Sequence, residues 1–276
     1  MTSAIKSVPI GVWILLLTFI YAILRAVHFR WVCDDSFISF RYARNFVRGY
    51  GLVFNVGEDV EGYTNFLWTI GIAFGMKLGI DPLRWVQGIG ILSYAISILV
   101  VYIFGLKIFR EYIQFINPDS AFSKTNSRNI PFSFLEKKYF PLAAIALCLQ
   151  THAQIFATGG LETSFFGMLI VSGYALIVYS KKLRNVTIGQ FLLVLSAMTR
   201  PEGVLFVAFG LLYVILFHRR NFSEFQGKVR IFFSFLPFFL IYIPYWFWRV
   251  FYYSSFFPNT YYAKYGHGNF IHQGIK

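Results

Sequence analysis

Charge is scarce in this chain, and negative charge scarcest of all. Of 276 residues only 13% are charged, with 12 Asp or Glu against 25 Lys or Arg, a formal net charge of +13. A soluble domain carries roughly 25% charged residues, so an ordinary water-facing surface is excluded. Cysteine is nearly missing too. Cys33 sits at the edge of one apolar run and Cys148 inside another, with no metal-ligand or redox spacing, which argues against a disulfide or a metal cluster. Neither a solenoid-type repeat nor a low-complexity segment is present.

What fills the sequence instead is apolar and aromatic. Hydrophobic residues make up 57%, aromatics 21%, with 34 Phe and 18 Tyr. Apolar runs cover 9–27, 66–80, 88–108, 139–157, 164–180, 186–199, 203–217 and 231–252. Such runs define an all-α, polytopic integral membrane protein. The positive excess then reads as topology and as phosphate or lipid contact, not nucleic-acid binding. The first run has no small-residue cleavage site after it and reads as an uncleaved anchor.

Run 66–80 is short and carries Lys77. If it does not cross, every basic connector (109–138, 181–184 and 219–230) falls on one side, which the positive-inside rule places in the cytoplasm. That arrangement predicts a single module over 1–276 with seven spans and the N-terminus inside. Its first outer loop covers 28–87 with interfacial helices, including 66–80, its cytoplasmic loop 109–138, and its outer tail 253–276.

One polar stretch stands out. Residues 33–68 hold five of the twelve acids, Asp34, Asp35, Glu58, Asp59 and Glu61, directly after the first apolar run. Carboxylates at a lipid boundary are costly to place and mark chemistry or ion handling. Asp34 or Asp35 can cap a helix from about 36 to 48, stopped by Gly49 and Gly51. On that helix Arg41, Arg44 and Arg48 form one stripe. A carboxylate pair suits a sugar hydroxyl and a guanidinium row suits a phosphate. The alternative is an interfacial helix whose arginines only touch headgroups.

Three later segments also carry polar chemistry. GGLETS (159–164) places Glu162, and TRPEG (199–203) places Arg200 and Glu202, each at a helix start where an acid also simply favours the macrodipole. Arg200 and Glu202 can equally pair with each other. FFPNTYYAK (256–264) holds Asn259, Tyr262 and Lys264, though tyrosine is common at membrane interfaces for its own reasons. His152, alone in an apolar run, is expected to be packed.

The segment DDSFISFRYARNFVRGYGLVFNVGEDVEGYTNFLW (34–68) resembles the first outer loop of GT-C glycosyltransferases, nearest to the mycobacterial terminal arabinofuranosyltransferase type. GGLETSFFGML, TRPEGVL and FFPNTYYAK resemble the same family, in the same order. The resemblance implies inverting transfer of a sugar, such as the pentose arabinofuranose, from a polyprenyl-phosphate donor. The acceptor would be a cell-envelope glycan or glycolipid on the outer side of the cytoplasmic membrane. It implies an acidic general base, matched here by Asp34 and Asp35, with Asp35 favoured because it sits at the helix mouth. Arg41, Arg44, Lys264 and Arg249 become candidates for the donor phosphate. Glu61, Tyr63, Asn65, Glu162, Arg200, Glu202, Asn259 and Tyr262 become candidates for substrate contact. No cofactor is expected, although adjacent carboxylates can also hold a divalent metal. Family members are longer, so a missing C-terminal half is an expected partner, and a truncated, inactive binding subunit or a lipid-linked sugar carrier are the competing readings.

Overall fold

The computed structural model describes residues 9–116, 139–179, 182–218 and 224–265. Among them every element is helical. Helix α1 (Ile10–His28) follows Pro9 and buries only Gly11, Ala22 and Ala26. Small residues on the packed face and bulky ones such as Trp13, Leu17 and Leu24 outside suit a helix wrapped by lipid. Helix α2 (Ser36–Val47) and α3 (Phe66–Lys77) follow, then α4 (Pro82–Ile116). Its start is capped: Pro82 occupies the first turn and Asp81 Oδ1 accepts the Arg84 N–H at 2.9 Å.

Three helical stretches are long and apolar enough to cross a membrane: Ile10–His28, Pro82–Ile113 and Phe225–Tyr253. Four shorter apolar helices accompany them: α3, α7 (Thr163–Tyr179), α8 (Leu183–Thr199) and the stretch Gly203–Phe217. That last stretch is α9 (Gly203–Tyr213) running into a π turn, Val214–His218. Phe225–Tyr253 is likewise composite: α10 (Glu224–Pro237), a π turn at Phe238–Tyr242, and α11 (Ile243–Tyr253). Pro237 and Pro244 lack the N–H groups a regular helix needs there, and the wider turn lies between them. A short α12 (Asn259–Tyr265) closes the described chain.

The run 139–157 is not one helix. It breaks at Gln150, whose ψ is 109°, into α5 (Leu142–Leu149) and α6 (Thr151–Phe156). The break frees carbonyls, and they are satisfied locally. Tyr94 Oη donates to Leu147 O at 2.9 Å and lies 3.1 Å from Cys148 O, which also accepts from Gln154 Nε2 at 2.6 Å. A broken helix survives in an apolar setting only with such partners.

Contacts along the bundle give its direction. A Cβ on Gly11 would meet Pro141, and one on Gly105 would meet the Tyr139 hydroxyl, so the start of α1 and the latter part of α4 share one end. At the other end Trp31 Nε1 donates to Ile155 O at 3.0 Å, and Gln87 Nε2 donates to both Trp31 O and Thr158 O at 3.2 Å. Thus α5–α6 run parallel to α1, and α4 runs antiparallel to both. Helices α7 and α8 return as a hairpin so close that Gly173 and Gly189 face each other's carbonyls, and a Cβ on either would clash. Leu193, Val194 and Ala197 of α8 pack with Val207 and Val214 of the next segment.

Helix α3 touches one end only. Trp68 Nε1 donates to Gly160 O at 3.1 Å, and Trp85 of α4's first turn donates to Gly71 O at 2.8 Å while its ring covers Gly75. Phe40 and Ala43 of α2 pack with Trp68 and Ile72. Helices α2 and α3 therefore form a cap over the end of the bundle that carries Asp34 and Asp35.

Candidate functional site

The site end is assembled from α2 outward. Contrary to the capping expectation, neither Asp34 nor Asp35 caps α2 with its side chain. Backbone turns satisfy the first N–H groups instead: Ser36 N–H to Cys33 O, Phe37 N–H to Asp34 O and Ile38 N–H to Asp35 O, at 3.0–3.2 Å. The Asp35 carboxylate is therefore not consumed by capping. Asp34 Oδ1 accepts the Asp35 N–H at 3.0 Å and lies 3.4 Å from Cys33 Sγ. Both aspartates are exposed, and among the described residues neither has an ion-pair partner. At its other end α2 stops as the sequence indicates. Gly49, at φ 85°, donates to Phe46 O and Tyr50 donates to Asn45 O, the paired bonds of a Schellman motif.

The aspartate turn is clamped onto the GGLETS segment. Cys33 N–H and Ser36 Oγ donate to Gly159 O at 2.9 and 3.2 Å. Gly160 has φ 84°, and a Cβ there would lie 2.6 Å from Ser36 Oγ, so both conformation and space demand glycine. Two residues on, Glu162 is nearly buried. Asn65 Nδ2 donates to its Oε2 at 2.9 Å and to Ser39 Oγ at 3.1 Å, while Thr69 Oγ1 donates to Asn65 Oδ1. Arg200 Nε lies 3.5 Å from Glu162 Oε1 and 3.0 Å from Glu202 Oε1, with its guanidinium over the Phe166 ring. Three motifs distant in sequence thus meet at one network.

A second network holds the tail. Arg249 Nε lies 2.9 Å from both carboxylate oxygens of Glu61, and its two terminal nitrogens donate to Phe256 O at 3.0 Å. Both side chains are buried, at 7% and 4% exposure. Burial pushes the Glu61 carboxyl above the ordinary range, and the Arg249 guanidinium offsets part of that. Asn259 contributes its backbone N–H to Glu61 O at 2.9 Å. Tyr253 Oη donates to Leu52 O at 2.8 Å, which leaves Tyr63 as the donor in the 3.1 Å contact between the two hydroxyls.

Arg249 and Arg41, both phosphate candidates from the sequence, are engaged by protein. Arg41 Nε donates to Phe54 O at 2.7 Å, its NH2 to Asn55 Oδ1 at 3.1 Å, and its guanidinium covers the Phe54 ring. It ties α2 to the following loop. Arg44 and Arg48 are exposed on the same stripe with no partner among the described residues. Asn259 and Tyr262 are exposed at the tail, where Tyr262 Oη accepts the Phe257 N–H at 3.4 Å. The side chain of Lys264 lies outside the described residues. His152, expected to be packed, is exposed.

Sequence reasoning missed the supports of the site: Ser39 and Thr69 around Asn65, and the indoles of Trp31 and Trp68. An indole beside a polar turn in an apolar chain is the available signal, since its N–H needs a partner when buried. As to metals, one ligand atom each from Cys33, Asp34 and Asp35 lie within 4.8 Å of one another. Two hard oxygens and one soft thiol on an exposed turn match neither a structural zinc set nor an oxygen-only Mg²⁺ or Ca²⁺ set.

An all-helical, membrane-type bundle thus carries exposed carboxylates at the start of α2 and an exposed arginine stripe along the same helix, at one end. The chain is 27% identical over 261 residues to the terminal beta-(1->2)-arabinofuranosyltransferase of Mycobacterium tuberculosis, covering 89% of this chain. It spans 37% of that relative's length. No protein-family model matches the chain, and no solved structure matches it significantly. This distant similarity supports a relationship to membrane glycosyltransferases in general.

Proposed function

We propose that this protein is a glycosyltransferase of GT-C type that moves a sugar from a polyprenyl-phosphate donor to a hydroxyl of a cell-envelope glycan or glycolipid. The observation that carries the reading is the state of the acids at the site end. Glu61 and Glu162 have cationic and hydrogen-bonded partners, whereas Asp34 and Asp35 sit exposed on a turn fixed by backbone bonds, with no cationic partner among the described residues, and the Asp35 carboxylate accepts no hydrogen bond there. A general base must reach the proton it takes, which an exposed carboxylate can do and one locked in a buried ion pair cannot.

In the proposed step, Asp35 takes the proton of the acceptor hydroxyl as its oxygen bonds to the anomeric carbon. The bond from that carbon to the phosphate oxygen breaks, the configuration inverts, and the lipid phosphate leaves carrying the bonding pair. Arg44 and Arg48, exposed on α2, are placed to neutralise it. Arg41, Arg249 and Glu61 act as ties that hold the loop and tail in place. The site end faces the outside of the cytoplasmic membrane in this reading. Cysteines replacing Asp59 and Glu111 should then label from opposite sides, Asp59→Cys from outside; same-side labelling overturns the arrangement.

The direct test is turnover of a polyprenyl-phosphate-linked pentose by purified protein in lipid, wild type beside Asp34→Asn and Asp35→Asn. Loss in Asp35→Asn with the fold intact supports the assignment. Full turnover in both variants removes it.

A further inference from the structure

The break at Gln150 creates something besides a kink. A cavity of about 350 Å³ lies where α4, the α5–α6 break and α7 meet. Gln150, His152, Thr163 and Ser164 line it, and none of these side chains has a hydrogen-bond partner among the described residues. Leu147, Ala153, Phe156 and Val171 supply apolar walls, and no Lys, Arg, Asp or Glu is among the described lining residues. Gly167 also lines it, and a Cβ built there meets nothing within 4 Å. Gln150 and His152 are exposed and Thr163 and Ser164 part-buried, so four polar side chains from two separate segments face one cavity with their donors and acceptors open to an occupant.

The chemistry of the lining selects the occupant. A phosphate or carboxylate would lack a cation there. A prenyl or acyl chain would leave the amide, imidazole and hydroxyls unpaired. A neutral, hydroxyl-rich ring satisfies both parts, with donors and acceptors for its hydroxyls and Phe156 for its apolar face. Ligand cavities run from about 300 to 1,000 Å³, so this one is at the small end, suited to one or two sugar rings. Its position adds a second argument, since Thr163 directly follows Glu162, whose carboxylate belongs to the network joining Asn65 and Arg200.

We infer that this cavity is a subsite for an uncharged sugar residue, the terminal ring of the acceptor. The assignment rests on the glycosyl-transfer reading for the word acceptor, but its test reads binding and not turnover.

The experiment uses the full chain in lipid nanodiscs and methyl α-D-arabinofuranoside as probe, followed by saturation-transfer NMR. Wild type should give a saturable signal, and its tri-O-methyl ether, which can no longer donate, should give none. Gly167→Phe fills the cavity and should reduce the glycoside signal at least fivefold with the thermal midpoint unchanged. Should that variant fold poorly, Thr163→Val with Ser164→Ala removes the hydroxyls at nearly constant shape and should reduce the signal by the same route. The signal needs neither donor nor turnover, so failure of the catalytic reading leaves this result intact. No saturable binding by wild type, equal binding of the ether, or undiminished binding in folded cavity variants overturns the inference.

Discussion

The acids at the site end fall into two groups that differ in everything except location. Glu61 and Glu162 are buried, each facing an arginine, and Glu162 also accepts from Asn65. Asp34 and Asp35 are exposed and face no cation among the described residues. The difference teaches how one end of a bundle separates holding from reacting. A buried carboxylate takes its partners from the protein in place of water, and those partners fix it and close it off from a substrate hydroxyl. An exposed carboxylate on a turn fixed by backbone bonds is held in position and stays open to a substrate hydroxyl.

That comparison can be broken most forcefully through activity. Asp35→Asn should lower turnover by roughly 10²–10⁴-fold, the range for loss of a general base, with little change in thermal midpoint. Next in size is stability: Arg249→Met leaves Glu61 buried without its cation and should cost about 3–5 kcal/mol, measured by thermal or denaturant unfolding. The deficit should shrink as pH falls, because a protonated Glu61 needs no cation and removal of Arg249 raises its folded pKa further. A deficit that grows on acidification would contradict the pairing.

Smaller effects sharpen the boundary between the groups. Gly160→Ala forces a left-handed backbone on alanine and crowds Ser36 Oγ, which should cost about 1–3 kcal/mol and displace the aspartate turn. Turnover should therefore fall with stability in that variant, unlike in Asp35→Asn. Arg44→Ala removes an exposed, uncommitted guanidinium and should weaken donor-lipid binding about tenfold, or ~1.4 kcal/mol, with no stability change. Equal loss of donor and glycoside binding would make the stripe architectural.

Composition alone made the helical membrane class readable, because no soluble surface can be built from so little charge. The Gly49 stop was readable because a glycine after an arginine-bearing helix has one common use. The break at Gln150 was not, since Gln-Thr-His inside an apolar run looks like a few tolerated polar residues until Tyr94 is seen capping the freed carbonyls. The site divided in the same way. Asp34 and Asp35 stand out from their adjacency, but the role of Arg249 depends on a partner 188 positions away, and a sequence shows a charge without showing what neutralises it. Arg41 looked free for the same reason.

The measurement that bears most directly on the account is turnover of polyprenyl-phosphate-linked pentose by Asp35→Asn and Glu61→Gln beside wild type, each first matched for folded fraction. The account predicts that Asp35→Asn, folded as wild type, is inactive, while folded Glu61→Gln keeps most of its turnover. An active Asp35→Asn beside an inactive, fully folded Glu61→Gln would reverse the two roles and contradict it.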